Sequence, residues 1–518
     1  MTAVNRIFKV KGKPFYPLGR HRIYMAGYVA RDEAEIEANL KASKACHGNT
    51  VCHAIFWDEL EPEEGKFDFS SIDTVIRLAR KHDLKLIFLW FAVWKNAVMD
   101  YAPEWIKADP QRFKRVICPT GKTIWVLSSH CKATLEADKT AYAALCKHLK
   151  DTDSEQTVIG IQLENEPGII GSERDYSPAG QAEFDSPVPA KLLSAMKAKG
   201  KGEVYDLWQE AGGKKSGNWT AVFGPDAGEC MTAWSIATFI NEVSKAGKAV
   251  YDIPTFINVW GMEQNWWPIP GESYPAGGPA HKVLDIYKWF APDVDTISLD
   301  NYNGDAKGKE MGNVNYARDD NPLFIVESQT NLNMFRNIAD YNAIGYFTHY
   351  EQAEDGSLYP DELRRIQNVQ SVAAVIPLLL KYQGTGKIQA VVEEESAKSR
   401  GRMQRMKFDG YMGLVEFTGT ERGGGLVIQV SRHEFYFVGV GYRLMLRPKP
   451  VVGQTPITML AAVDLSHPNF CNFFVRVCEG HFNEKGEYVI DRRRNGDSIR
   501  GGIWVGAPDC VMQIITSE

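Results

Sequence analysis

The chain has 518 residues, 44% of them hydrophobic, enough to bury at least one large core. Lys plus Arg total 59 against 65 Asp plus Glu, a formal charge of −6. That mild acidity argues against a nucleic-acid partner, whose phosphates favour a strongly basic face. The opening MTAVNRIFKVKGKPFYPLG has no apolar run long enough for a signal-peptide core, and no stretch of about 18 apolar residues predicts a membrane span. Nine scattered cysteines without a CxxC pair read as reduced thiols, so the expectation is a cytoplasmic protein without membrane partners.

From the N-terminus to about residue 375, short β-rich apolar runs alternate with helical patterns. Strands are predicted at 23–28, 49–57, 84–91, 158–163, 255–259, 296–299, 323–326 and 343–348. Between the second and third, Ile72, Val75, Ile76 and Ala79 fall at i, i+3, i+4 and i+7, one apolar stripe, with Ser70 and Asp73 as a variant capping box. Eight strand–helix alternations favour a parallel sheet closed into a (β/α)8 TIM barrel. An open doubly wound sheet is the alternative, weakened because no Gly-rich phosphate loop follows the first strand. Two long connections, about 167–230 and 261–282, exceed ordinary loops and are rich in Gly, Pro and charge, as expected of walls around a binding site. From about Gly384 the pattern changes to short alternating segments punctuated by glycine, which predicts a C-terminal all-β sandwich. The expected division is 1–382 for the barrel and 383–518 for the sandwich.

Chemistry concentrates at two strand ends. TVIGIQLENEPG, residues 157–168, is an apolar strand ending in Glu164, Asn165 and Glu166, and NPLFIVESQT, residues 321–330, ends the seventh strand in Glu327. Barrel active sites collect at the C-terminal ends of strands. A strand-end Glu alone is more often a loop residue or an ion-pair partner. Two of them, on strands whose ends face each other across a barrel mouth, suit glycoside hydrolysis, which needs two carboxyl groups flanking one linkage. No HExxH or other tight ligand pattern among the 11 His points to a metal, and no GxSxG elbow to a serine hydrolase. No cofactor is expected.

The segments FWDELEPEEGKFDF (56–69), LKLIFLWFAVWKN (84–96), YAPEWI (101–106), QLENEPG (162–168), YPAGGPAHKVLDIYK (274–288) and LFIVES (323–328) resemble a clan-A glycoside hydrolase. They are most similar to the family 35, β-galactosidase-type group that carries an extra C-terminal β domain. The resemblance implies Glu166 as acid/base, Glu327 as nucleophile and retention of configuration through a covalent glycosyl-enzyme. It also implies Asn165 as hydrogen-bond donor to the sugar 2-hydroxyl. Family 35 enzymes carry a Cys-Ala-Glu-Trp stretch after strand three. Here Phe91-Ala92-Val93-Trp94-Lys95-Asn96 stands instead, and Pro167 replaces the usual Tyr. Those departures keep β-glucosides beside β-galactosides as substrates.

Further substrate-binding candidates are Glu164, Tyr302, Asp300, Lys95, Trp94 and Trp260, each with a plainer alternative: second-layer support for Glu164, a packed ring for Tyr302, a solvated charge for Lys95, core packing for the tryptophans. Asn301, Trp90, Trp266 and the cleft histidines His21, His47, His53 and His130 are weighed with them, and Glu61-Pro62 reads as a structural turn. The expected function is a retaining exo-acting β-glycosidase on β-linked di- or oligosaccharides. A transglycosylase and a noncatalytic carbohydrate-binding protein are the rivals. Homo-oligomerisation is compatible with base rates alone.

Overall fold

In a computed structural model, which describes residues 7–21, 32–262, 267–302, 307–329, 332–349, 360–394, 403–419, 422–449, 474–499, 502–505 and 507–517, the apolar runs of the first part of the chain form eight parallel strands. They are β1 (Leu18–His21), β2 (Thr50–Phe56), β3 (Lys85–Lys95), β4 (Val158–Asn165), β5 (Thr255–Val259), β6 (Thr296–Asn301), β7 (Glu327–Ser328) and β8 (Tyr346–Thr348). Their hydrogen-bonded order is β7-β6-β5-β4-β3-β2-β1-β8. A parallel bridge between Ile325 and Tyr346 brings the two ends of this order together, with the Phe347 N–H donating to the Ile325 carbonyl at 2.8 Å. The sheet is therefore the expected barrel and not an open one.

Alternation along the strands sends Cys52, Phe56, Leu89, Phe256, Phe324 and Phe347 into the barrel, where they form one cluster. Phe8, from a hairpin of Phe8–Val10 and Lys13–Phe15, joins that cluster, its ring 5.2 Å from Phe324. The first strand of the barrel precedes the predicted segment. It lies at Leu18–His21, whereas all of 23–28 lies outside the described residues. Its signal in the sequence is weak because two of its four residues are Arg20 and His21. A third is Gly19, where an added Cβ would fall 1.9 Å from the Thr50 carbonyl oxygen of the neighbouring strand.

Outside the strands lie helices that include α1 (Glu33–Ala45), α2 (Ser70–Lys81), α3 (Lys132–Thr152) and α4 (Ala227–Val250). Helix α2 buries Ile72, Val75, Ile76 and Ala79 as its stripe predicts, but the capping box does not form: Phe69 is the N-cap, and Asp68 accepts the Ser70 N–H at 2.9 Å. Helices α3 and α4 meet at Gly247, where a Cβ would lie 2.3 Å from Tyr142 Cε1 and 2.8 Å from Cys146 Sγ. Gly247→Ala is accordingly expected to lower stability by about 1–3 kcal/mol through overpacking, read as a lower denaturant midpoint with an unchanged m-value.

The long connection after β4 contains four short helices, Pro178–Asp185, Ala190–Lys199, Glu203–Glu210 and Trp219–Phe223. It is tied to the connection after β5 directly beyond Glu166: Ile169 and Ala276 exchange backbone hydrogen bonds of 3.0 and 2.9 Å, and the Gly171 N–H donates to the Gly271 carbonyl at 2.7 Å.

After helices at Pro360–Ala374 and Ile376–Tyr382, the remaining strands are β9 (Ile388–Val392), β10 (Met403–Lys407), β11 (Tyr411–Phe417), β12 (Gly424–Ser431), β13 (Glu434–Val440), β14 (Tyr442–Pro448), β15 (Phe474–Phe482), β16 (Tyr488–Arg493), β17 (Ile503–Trp504) and β18 (Val511–Thr516). They make two antiparallel sheets, β9-β12-β13-β18-β15-β16 and β10-β11-β14-β17. Val391, Val427, Phe435, Phe437, Met512 and Ile514 of the larger sheet pack against Leu444, Leu446 and Val415 of the smaller. Ile388, Ala390, Leu426, Ile428 and Val438 point the other way, into the same core as the barrel helices. Covered on both faces, β12 and β13 read as nearly continuous apolar runs.

Candidate active site

The end of β4 leaves regular strand geometry twice. Glu164 has φ +60° and Glu166 φ +49°, left-handed values that side-chain-bearing residues adopt only when their surroundings hold them. The first twist sends Glu164 out of the barrel. Its Oε2 accepts the Trp94 N–H at 2.7 Å, and its carboxyl bonds to that of Asp138 on α3. Asn165 and Glu166 are then turned toward the mouth. Gln162, inside the barrel, supports them from below, its Nε2 donating to the Glu164 carbonyl at 2.9 Å and to Asn165 Oδ1 at 3.3 Å.

Asn258, on β5, is the hub of the mouth. Its Oδ1 accepts the Glu166 N–H at 2.8 Å, and its Nδ2 donates to Asp300 Oδ2 at 2.8 Å and lies 3.4 Å from both Asn165 Oδ1 and Glu327 Oε1. Asp300, the penultimate residue of β6, pairs with Glu327 in the parallel register and also hydrogen-bonds to the Glu166 carboxyl. Val326 lies in the barrel interior, so strict alternation would turn Glu327 outward. The chain bends at Val326, and the Glu327 carboxyl reaches the mouth as well. There Glu327 Oε2 accepts the Tyr302 hydroxyl, and Oε1 lies 3.4 Å from His21 Nε2.

Three carboxyl groups thus surround one amide. Burial pushes all three upward from the ordinary carboxylate range. Glu327 is raised to about 8, first by desolvation and then by the charge of Glu166, while the Tyr302 hydroxyl and the Lys95 ammonium draw it down. Asp300 lies well above its usual value, with Glu327 and Glu166 adding to the effect of burial. Burial raises Glu166 and Glu327 alike, so burial alone does not assign acid and nucleophile between them. Lys95 is the nearby cation, its Nζ 5.1 Å above the Phe91 ring and hydrogen-bonded to Asn96. Burial first, then His349 and Lys95, hold His21 well below the usual histidine range, so its ring is neutral. Among the described residues, its contact with Glu327 apart, neither of its nitrogens meets a hydrogen-bond partner.

Of the residues singled out in the sequence, Glu166, Glu327, Asn165, Asp300, Tyr302 and Lys95 converge here, joined by His21. Glu164 and Trp94 do not. Glu164 is turned to α3, and the Trp94 ring is wholly buried against Phe239 of α4 at 5.1 Å. Trp90 is likewise buried, donating to Asp138 at 3.0 Å. Trp260 follows β5 and is half-buried, while Trp266 lies outside the described residues. His53 packs by Phe88 on the outer face of the barrel, and His47 occupies the α1–β2 turn, at the opposite end of β2. Glu61 forms the turn expected of it, accepting Trp57 Nε1 at 2.8 Å and the Gly65 N–H at 2.7 Å. Two site residues escape sequence reasoning. Asn258 has a trace, an amide inside the apolar run TFINV. Asn96, which accepts from Asn165 Nδ2 at 3.2 Å, has only its place beside Lys95.

Residues 30–209, from before α1 through β4 and into the connection beyond it, match the family 42 glycoside hydrolase model described as β-galactosidase, and residues 367–506 match a domain of unknown function, DUF5597. Beta-galactosidase-1-like protein 3 of Homo sapiens is 27% identical over 183 residues, 32% of this chain and 25% of that protein, so the chain spans a quarter of the relative's length. Among solved structures, the catalytic domain of β-amylase from Paenibacillus polymyxa has a TM-score of 0.48 and 13% identity, covering 68% of this chain and 96% of that one. The β-galactosidase from Halorubrum lacusprofundi has a TM-score of 0.46 and 17% identity, covering 69% and 58%. At these scores the likeness is one of outline. The family match supports a glycosidase enzyme with a clan-A-like barrel. It is to family 42, whereas the sequence motifs resemble family 35. Among the described residues no helix is long and apolar enough to cross a membrane.

Proposed function

We propose that this chain is a retaining, exo-acting β-glycosidase of the β-galactosidase type, with Glu327 as nucleophile and Glu166 as acid/base. The observation that carries the reading is the hub at Asn258, which ties the Glu166 backbone, Asp300 and Glu327 into one cluster at the C-terminal ends of four neighbouring strands. Two features support the division of roles. Tyr302 donates to Glu327, which favours the ionised form a nucleophile needs. Glu166 keeps 8% of its surface exposed against 3% for Glu327, as suits the group that must meet both the leaving oxygen and the incoming water.

In the first step the Glu327 carboxylate bonds to the anomeric carbon as the glycosidic C–O bond breaks, and Glu166 gives its proton to the departing oxygen. In the second, Glu166, now ionised, takes a proton from water. The water oxygen bonds to the anomeric carbon, and the ester to Glu327 breaks. Asn165 is the group that hydrogen-bonds the sugar 2-hydroxyl, and His21, beside Glu327, is placed to meet another hydroxyl. Asp300 and Lys95 adjust the charge around the pair.

A β-glucoside is the second reading of the sugar. It is favoured by Val93, which stands where family 35 has its galactose-contacting Glu. Screening aryl β-galactoside, glucoside, fucoside and xyloside, with NMR of the first-formed anomer, tests sugar and stereochemistry together. A first-formed α-anomer, or no turnover of any of the four, would sink the proposal.

Tyr302→Phe removes the donor that draws Glu327 down, so the Glu327 carboxyl rises further and fewer molecules carry the nucleophilic carboxylate at a given pH. The acid limb of kcat/KM is expected to move upward by about one pH unit. A limb that stays in place would detach Tyr302 from the nucleophile.

A further inference from the structure

Behind the catalytic strands lies a second pair of carboxyl groups that the mechanism above does not use. Asp138, on α3, and Glu164, on β4, are both buried and hydrogen-bonded to each other. Both have fixed donors: Trp90 Nε1 gives to Asp138 Oδ1 at 3.0 Å, and the Trp94 backbone N–H gives to Glu164 Oε2 at 2.7 Å, with the Val93 backbone bonding to the same carboxyl. Among the described residues Asp138 Oδ2 has no donor from any other group. Among the described residues the titratable groups around the pair are Glu61, behind Asp138, and Tyr142, one turn along α3, with no cation acting on either carboxyl. Two ionised carboxylates in contact, buried and without a counter-charge, repel strongly, whereas one proton between them converts the contact into a strong hydrogen bond.

The location gives the pair a task. Glu164 occupies the first left-handed position of the β4 end, and its side chain is the anchor that pulls the backbone out of the strand before Asn165 and Glu166. We propose that Asp138 and Glu164 share a single proton, and that this bond positions the turn presenting Asn165 and Glu166 to the substrate. The positioning role rests on the glycosidase reading above, while the shared proton does not. Asp138 and Glu164 are positioning residues, since neither touches the site. Burial, opposed by the bond from Trp90, raises Asp138 to about 7, and burial together with the charge of Asp138 raises Glu164 well above its normal range. The folded protein therefore binds this proton where the unfolded chain has released it. The stability it contributes is complete below the unfolded values near 4 and declines as pH rises toward the folded ones.

The test compares full-length wild type with Asp138→Asn and Asp138→Leu. An asparagine amide donates to Glu164 without a titrating proton, whereas leucine removes the bond. The infrared difference spectrum of wild type minus Asp138→Asn at pH 6 is expected to contain the carbonyl stretch of a protonated carboxylic acid, and absence of that band overturns the shared proton whether or not any glycoside is turned over. The Tm of wild type relative to Asp138→Asn is expected to fall by roughly 2–4 °C between pH 5 and 9, and parallel curves overturn the proposal. On the best aryl glycoside, Asp138→Leu is expected to lose about 10–100-fold in kcat with KM changed less than about threefold. Asp138→Asn is expected to recover most of that loss. Equal losses in the two variants overturn the positioning role. If Asp138→Leu does not fold, the infrared and Tm measurements on Asp138→Asn still decide the shared proton.

Discussion

Glu327→Gln is expected to lower kcat on any aryl β-glycoside by about 10⁴-fold or more, because it removes the atom that forms the covalent intermediate. Glutamine has the shape of the glutamate it replaces, and its carbonyl oxygen still accepts the Tyr302 hydroxyl, so the variant should fold as wild type does. The substitution also withdraws one charge from the trio. After burial itself, the charge of Glu327 does most to hold Asp300 up, so Asp300 should ionise more readily in the variant. A matched pair of measurements, single-turnover kinetics and circular dichroism, separates chemistry from unfolding. Retention of more than about a hundredth of wild-type kcat by a folded Glu327→Gln protein would remove it from the nucleophile's role.

Glu166→Ala should behave differently across substrates, and the difference is its signature. For glycosides whose leaving group is a sugar or an alcohol, protonation is essential, and kcat/KM is expected to fall by about 10²–10⁴-fold. For an aryl glycoside with a strongly acidic phenol the leaving oxygen departs without a proton, and kcat/KM should fall less than about tenfold. The second step still lacks its base, so kcat falls and KM falls with it as glycosyl-enzyme accumulates. A uniform loss across leaving groups would show that Glu166 does not act as the acid.

The barrel was legible because its strands are apolar and evenly interrupted by helices. Where a strand is poor in apolar side chains, as at Leu18–His21, the same reasoning is drawn to a richer run nearby. The seventh strand illustrates a subtler limit. The apolar stem and Glu327 were visible, but the bend at Val326 that lets neighbouring residues both face inward is a product of packing. Glu164 shows the same limit with greater consequence. Period-two alternation along β4 gives it the same side as Gln162, yet the left-handed turn reverses it, and only the partners Trp94 and Asp138, 70 and 26 positions away, account for that. Trp94 follows from this: the strand that donates its N–H to Glu164 carries the indole into the helical layer. Asn258 was hidden because one amide in an apolar strand carries no pattern, although it has four hydrogen-bonding neighbours at the mouth.

The six-stranded sheet of the C-terminal part shares its inner aliphatic face with the helices of the barrel. Cutting the polypeptide between them would wet Ile388, Leu426, Ile428 and Val438 on one fragment and the matching helical residues on the other. Each piece would then carry a sticky flank, prone to self-association. Recombinant work, crystallisation and any attempt to graft either half onto another scaffold are therefore better served by keeping the polypeptide whole.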